Sequence, residues 1–449
     1  MDRTVDTSLT PHAAVSNGIV APDTGSRPVV EPPVLGGSEH TDYYHLDALL
    51  TDEQRALKAR VRAFMDSEVA PIINGYWERA EFPHVLVPKL AQLNLAGFNI
   101  QGYGCPGLDV LTTGLVVLEL ARGDLSLATF MGVQSALAMM SIALLGSEEQ
   151  KQRFLPAMAR LEKIGAFRLT EPYHGTDVSM LETSARRDGD YYVLNGHKRW
   201  IGNATFADYV VIWARGDDGH VGGYIVERGM PGFDAQFIAG KTALRVVQNA
   251  QISLQDVRVP LENRLANSHT FRDAEKVLMA SRFAVAWEGL GAAVAGYETA
   301  LAYAQQRKQF GMSVSSFQLV QDKLAAMLAD ITSCLFMMVR LSQLMQEGTA
   351  TMPMVALAKM HTVRRARATL AEARETASCV FPAPGGPTRL RIRVLSSSRT
   401  REMSRSSWSR GMSRRSIGGK VPCGAPRAAA MGAAYQSGRS SKSFKVSAA

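Results

Sequence analysis

Residues 169–177, Leu-Thr-Glu-Pro-Tyr-His-Gly-Thr-Asp, gather hydroxyls, small residues and backbone amides in one short loop. Such a loop can approach a planar cofactor closely while supplying several hydrogen bonds. It can equally be an ordinary turn closed by an Asx-type bond from Asp177. Two further runs shift the balance toward a cofactor. Lys198-Arg-Trp-Ile-Gly-Asn203 offers an indole for an aromatic ring system, and Arg307-Lys-Gln-Phe-Gly311, followed by Phe317-Gln318, offers a guanidinium for bidentate contact with a pyrophosphate. The plain alternatives are a core tryptophan and a solvated arginine favoured by a helix C-terminus. Other chemistries lack their signatures. The nine histidines include no His-Glu-x-x-His, there is no Cys-x-x-Cys, and no Gly-x-Ser-x-Gly elbow occurs, so neither a zinc site nor a serine hydrolase is expected. Gly289-Leu-Gly291 with Gly296 superficially matches a dinucleotide fingerprint. It lies inside a helical pattern, where close helix packing is the better reading.

The elements that must position these runs fall into three blocks. Thr51-x-x-Gln54 is a capping box opening a helix with Leu57, Val61, Phe64, Met65 and Val69 on one face, stopped by Pro71. Further helices are expected near 86–95, 110–122, 124–145 and 147–161, making residues 43–164 an N-terminal α-helical domain. From 165 to 262 the pattern alternates, as in Tyr209-Val-Val-Ile-Trp213, and is punctuated by Asn195-Gly196, Asp217-Asp-Gly219 and Pro231-Gly232. This reads as a middle β domain, with Asn195-Gly196 as its strongest hairpin signal. Helical periodicity returns near 271–306, 315–347 and 353–377, a C-terminal bundle showing three of the four helices that usually close one.

Composition bounds the rest. The chain has 449 residues, 46% hydrophobic and 20% charged, enough for a sizeable core. Its net charge of +9 is unevenly placed. Residues 378–449 hold eleven Arg and three Lys against the single acid Glu402, a net of +13, which leaves −4 on residues 1–377. The body is therefore not an electropositive nucleic-acid platform. That tail, with 15 Ser in 72 positions, and the Pro/Gly/Ser/Thr-rich residues 1–42 both read as disordered. No uninterrupted apolar run reaches 18 residues, so no membrane span is expected. The leader lacks a secretory pattern, and Cys105, Cys334, Cys379 and Cys423 are scattered, as in a reducing compartment.

Taken in order over about residues 43–377, these motifs resemble the acyl-CoA dehydrogenase and acyl-CoA oxidase superfamily of flavoproteins. Within it, Gly102-Tyr-Gly-Cys-Pro-Gly107, Trp200-Ile-Gly-Asn-Ala-Thr-Phe-Ala-Asp208 and Leu244-Arg-Val-Val-Gln-Asn249 look most like a plant-type peroxisomal short-chain acyl-CoA oxidase. A glutaryl-CoA-dehydrogenase-like mitochondrial enzyme is the alternative. The resemblance implies an α+β multidomain fold: N-terminal helices, a barrel-like middle β domain and a C-terminal helical bundle. It implies FAD as cofactor. Phe167, Leu169, Thr170, Gly175, Thr176, Trp200 and Ile201 would hold the flavin, and Arg307, Phe310 and Gln318 would reach the FAD of a neighbouring subunit in a homotetramer. Thr176 and Arg282 would meet the acyl-CoA substrate. The implied reaction takes the α-proton of a short-chain acyl thioester onto a carboxylate and a hydride from the β-carbon, giving a trans-2-enoyl-CoA. An oxidase then passes the electrons to O₂, yielding H₂O₂. Gly202 stands where many dehydrogenases of the family carry threonine beside the flavin, which favours the oxidase.

The resemblance stops near Ala377. The family's base is a glutamate in a Tyr-Glu-Gly-Thr run that follows a Gly-Gly-Asn-Gly loop, and the sequence contains neither, so the catalytic residue is unknown. A frameshift, retained intron or alternative last exon is expected after residue 377, and with it a non-catalytic isoform as a competing reading. By resemblance the location is peroxisomal, with mitochondrial or cytoplasmic as alternatives. The sequence ends Lys445-Val-Ser-Ala-Ala449, without a Ser-Lys-Leu-type signal.

Overall fold

The computed structural model describes residues 41–378; residues 1–40 of the expected leader and all but the first residue of the Ser/Arg tail lie outside the described residues. Thr41 and Asp42, expected in the leader, are buried, with Asp42 accepting from the Leu46 and Asp47 amides at 2.7 Å. Helix α1 (Asp52–Phe64) opens on the anticipated capping box, with Thr51 Oγ1 accepting from the Gln54 amide and Gln54 Oε1 accepting from the Thr51 amide. Pro71 does not stop this helix. A wide π turn over Met65–Val69 runs into α2 (Ala70–Arg79), and Pro71 falls in the first turn of α2. A proline there removes no needed donor, which is why the chain stays helical. Helices α3 (Val87–Gln92), α4 (Val110–Gly123), α5 (Leu125–Gly132), α6 (Met140–Leu145) and α7 (Glu148–Ala159) follow, with a second π segment, Val133–Met139, joining α5 to α6.

The β block is one seven-stranded curled sheet. Its strands are β1 (Gly165–Arg168), β2 (Ser184–Asp188), β3 (Tyr191–Ile201), β4 (Tyr209–Gly216), β5 (Val221–Glu227), β6 (Phe233–Phe237) and β7 (Ala250–Pro260). They run in the order β1-β4-β2-β3-β7-β6, with β5 paired to β4. Strand β4 is apolar on both faces because both are covered. Phe167, Val211 and Trp213 join the core shared with the helices, whereas Ala166, Val210, Ile212 and Ala214 line a second core inside the curl. Asn195-Gly196 is not a hairpin turn. It is a bulge within β3, where Asn195 exchanges two hydrogen bonds of 2.9 Å with Asp256 of β7. Gly196 is needed there, since a Cβ would sit 2.6 Å from Thr183 Oγ1. The β2–β3 reversal is made instead at Gly189, whose φ is +59°.

Three long helices close the described chain: α8 (Phe271–Gln306), α9 (Gln318–Gln346) and α10 (Met352–Ser378), with the small hairpin β8 (Lys308–Gln309) and β9 (Met312–Ser313) between α8 and α9. Among the described residues the bundle has these three helices, and α4 packs along α8. Glycines make that approach possible, as expected of a packing motif. A Cβ on Gly291 would meet the Leu118 carbonyl at 2.3 Å, and one on Gly114 would meet the Trp287 indole at 2.2 Å. Ion pairs cross the same seam. Glu119, buried in α4, receives Arg62 of α1 at 3.0 Å and Arg122 at 2.9 Å, while both arginines also reach Glu298 of α8 at 3.2 Å. By length and composition Leu125–Leu145, Phe271–Gln306 and Gln318–Gln346 could each cross a membrane, a property that a search for uninterrupted apolar runs passes over. The apolar window of the first is 67% buried within the fold itself.

Candidate functional site

The 169–176 loop leaves β1 and is tied to β3 by a buried ion pair. Lys198 Nζ donates to Glu171 Oε1 at 2.8 Å and to the Leu169 carbonyl at 3.2 Å. The Thr183 hydroxyl at 2.5 Å and the Thr183 amide at 3.0 Å donate to the same Glu171 oxygen, and the Glu182 amide donates to the other at 2.7 Å. The Arg199 amide closes the join on the Thr170 carbonyl at 3.0 Å. Burial alone would raise the Glu171 pKa. The Lys198 charge and these hydrogen bonds outweigh it and hold the carboxyl down at about 2. Lys198, wholly enclosed, is lowered by burial to about 8 despite its partner.

This join brings together two of the runs that stand out in the sequence. Phe167 and Leu169 are buried, with the Phe167 ring 6.0 Å from that of Trp213; Thr170 is half-buried; Gly175 and Thr176 are exposed, and a Cβ on Gly175 would meet nothing within 4 Å. Ile201 is buried beside Trp200, which is 53% exposed and held at φ +64°. A left-handed tryptophan is strained and persists only where its surroundings fix it. Here Asn249 Nδ2 donates to the Trp200 carbonyl at 3.2 Å, and Lys241 Nζ donates to Asn249 Oδ1 at 2.7 Å. The Arg199 guanidinium lies 5.5 Å from the indole centroid. Leu169 and Ile201 are both buried, in separate apolar clusters, and the Trp200 indole next to Ile201 stands open, an aromatic face suited to a planar ring.

The third run is elsewhere. Arg307 caps α8, Phe310 sits in the β8–β9 turn at φ +53°, and Gln318 is the exposed first residue of α9. Phe310 is 88% exposed with its ring edge-on to Phe317 at 6.1 Å, and Arg307 Nε is buried without a partner. Among the described residues no hydrogen bond, ion pair or ring contact joins this group to residues 167–176 or 200–201. Arg282 lies half-buried in α8, its Nη1 3.3 Å from Met352 Sδ.

Several groups escape sequence reasoning. Arg168 is fully buried in β1, with all three guanidinium nitrogens unpartnered and the charge 4.5 Å from the Phe233 centroid; burial pushes its pKa well down. Lys198 stood inside a run already singled out, yet no spacing rule pairs it with a residue 27 positions earlier. Glu171, His174 and Glu182 bring ligand atoms within 4.8 Å of one another, close enough for a metal ion. Both Glu171 oxygens, however, already accept hydrogen bonds from within the chain.

Three domain models match the chain in sequence order: the acyl-CoA dehydrogenase N-terminal domain over residues 51–162, the middle domain over 166–257 and the C-terminal domain over 271–378. The chain belongs to the acyl-CoA dehydrogenase superfamily. A short-chain specific acyl-CoA dehydrogenase of Clostridium acetobutylicum is 34% identical over 323 residues, which is 70% of this chain and 85% of the relative. The mitochondrial short-chain specific enzyme of Bos taurus is 30% identical, over 72% of this chain and 79% of its own. Among solved structures, glutaryl-CoA dehydrogenase of Mycobacterium smegmatis superposes with a TM-score of 0.74 at 36% identity, covering 76% of this chain and 89% of that one. Butyryl-CoA dehydrogenase of Megasphaera elsdenii gives 0.72 at 31%, covering 77% and 92%. Membership in this superfamily makes the chain one of the FAD-dependent enzymes that dehydrogenate acyl-CoA. These relatives are dehydrogenases, so the family is fixed more coarsely than the plant-type oxidase likeness suggests. The residues present suit FAD: the open Trp200 indole offers a face to an isoalloxazine, and the orphaned Arg307 Nε is a buried donor wanting an acceptor.

Proposed function

We propose that the 167–176 and 200–201 segments bind the flavin of FAD against Trp200, and that a short-chain acyl-CoA thioester lies on that ring. The observation that supports this is the Lys198–Glu171 ion pair, which ties the two segments together next to the open Trp200 indole. FAD, when bound, supplies the acceptor for the hydride leaving the β-carbon. The chain's own part is to exclude water through Leu169 and Ile201, to hold the ring with Thr170 and Trp200, and to seat the CoA-bearing end of the substrate at Thr176 and Arg282. Arg307, Phe310 and Gln318 then serve the FAD of a neighbouring copy. The exposure of Phe310 supports this, and it carries with it a homotetramer, which light scattering on the purified chain would test.

Short-chain preference is supported by the names of the relatives. For the electron acceptor the reading is O₂, with H₂O₂ as product, because Gly202 puts no side chain beside the ring. A Cβ there would meet Val133 Cγ2 at 3.3 Å. An electron-transferring flavoprotein is the second reading, favoured by relatives that are named dehydrogenases. A peroxisomal location goes with the oxidase reading and is checked by imaging a tagged full chain. The direct test is spectroscopic: butyryl-CoA added to the FAD-loaded chain should perturb the flavin absorbance. An unchanged spectrum with FAD demonstrably bound would overturn the substrate reading.

A further inference from the structure

Arg168 is wholly enclosed, yet none of its three guanidinium nitrogens has a hydrogen-bond partner among the described residues. Its place follows from the alternation of β1. Phe167 faces the core shared with the helices and Ala166 the core inside the curl, so Arg168, two residues after Ala166, faces inside as well. There the Phe233 ring of β6 lies 4.5 Å from the guanidinium carbon, a cation–π contact rather than an acceptor for the N–H groups. The charge acting on the same spot is another cation: Arg168 bears on Lys198 and helps to lower its pKa. Lys198 is itself committed to Glu171, both of whose oxygens already accept hydrogen bonds from within the chain. No carboxylate among the described residues acts on Arg168; burial alone does. Two cations against one carboxylate leave one positive charge uncompensated inside the sheet.

A guanidinium does not readily escape burial by giving up its proton. Internal water would accept its hydrogen bonds but leave the charge in a low-dielectric interior, whereas an anion answers both needs. The enclosing core is built largely of small apolar side chains, among them Ala166, Ala185, Ala214 and Ala250. Packed interiors hold few voids larger than a water molecule, so a partner for Arg168 has to be close to that size. We propose that Arg168 anchors an internal anion site within the curled sheet, taking one monovalent ion of halide size. The site stands independently of where flavin or acyl-CoA lies.

The full chain is exchanged into sodium gluconate and titrated with chloride or bromide at constant ionic strength, with thermal unfolding followed by tryptophan fluorescence. The unfolding midpoint should climb saturably, by roughly 2–4 °C once halide is about tenfold above its dissociation constant. Arg168→Met removes the charge and keeps much of the volume. It should show no such climb, and in gluconate it should melt above the wild type, since it leaves no charge to compensate. Wild-type crystals soaked in bromide should show anomalous density within hydrogen-bond distance of the Arg168 guanidinium, a reading that does not depend on any variant folding. A midpoint indifferent to halide, or one that responds equally in the wild type and Arg168→Met, overturns the proposal and leaves water as the partner of Arg168. Bromide density at the protein surface alone, an adventitious ion only, overturns it as well.

Discussion

At the scale of single residues, the loop–strand join depends on a lysine and a glutamate that are almost wholly enclosed. Removing one partner leaves the other charged and dry, which is worse than removing both. Glu171→Gln should therefore destabilise the fold by about 3–5 kcal/mol, whereas Lys198→Met with Glu171→Leu should recover much of the loss, read from urea midpoints. The pH dependence has a definite sign. The folded pKa of Glu171 is depressed from 4.5 to about 2, so its stabilisation is complete above pH 4.5 and is lost as pH falls toward 2. Acid unfolding of the wild type should be steeper across that window than that of Glu171→Gln. Arg307 makes a second case. Its buried, unpartnered Nε suits a phosphate, whereas Arg160 is an exposed residue paired with Glu162 at 2.8 Å. Arg307→Ala should weaken FAD binding by about 1.5–3 kcal/mol and Arg160→Ala should not. Equal FAD dissociation constants for the two variants would remove Arg307 from the site. Trp200 and Arg307 stand out in the sequence because indole and guanidinium have few uses in such runs. The Lys198–Glu171 pair does not, since it is made by the curl of the sheet rather than by any local pattern.

At the scale of elements, the long helices could be read from period alone, and their ends were legible where caps are chemical, as at Thr51 and Gln54. Two misreadings share one cause. Pro71 and Asn195-Gly196 are strong local signals, and each was overridden by a one-residue irregularity: a π turn before Pro71 and a bulge opposite Asp256. The glycines of α8 test the packing side of this argument. Gly291 faces the backbone of α4, which cannot yield, so Gly291→Ala should cost about 1–3 kcal/mol or more in thermal unfolding. Gly289 has only ordinary contacts at 3.5 Å with Val363, so Gly289→Ala should be neutral or stabilise by up to about 1 kcal/mol through helix propensity. A Gly291→Ala variant as stable as wild type would mean that α4 and α8 do not approach as closely as their glycines allow.

At the scale of the whole molecule, the proposed flavin-binding segments stand in a sequence that lacks the family's Tyr-Glu-Gly-Thr run. The buried carboxyls among the described residues, Asp42, Glu119, Asp124, Glu171 and Asp273, already accept hydrogen bonds within the chain, and the half-buried Glu288 is not at the ring. Glu171 is committed to Lys198 and held near pKa 2, too weak a base, while Glu288 lies across helix residues 130–133 from Trp200. Loss of general-base catalysis alone typically costs about 10²–10⁴-fold in rate. The 449-residue chain should accordingly bind FAD and butyryl-CoA but turn over little. Replacing residues 378–449 with a C-terminal segment that carries the family's Tyr-Glu-Gly-Thr run should raise turnover by at least about 10²-fold. The assay follows flavin bleaching under anaerobic conditions and H₂O₂ release in air, so that it reads the chemical step whether O₂ or a flavoprotein is the natural acceptor. Equal bleaching rates in the two chains would mean that a carboxylate upstream of residue 377 already takes the α-proton.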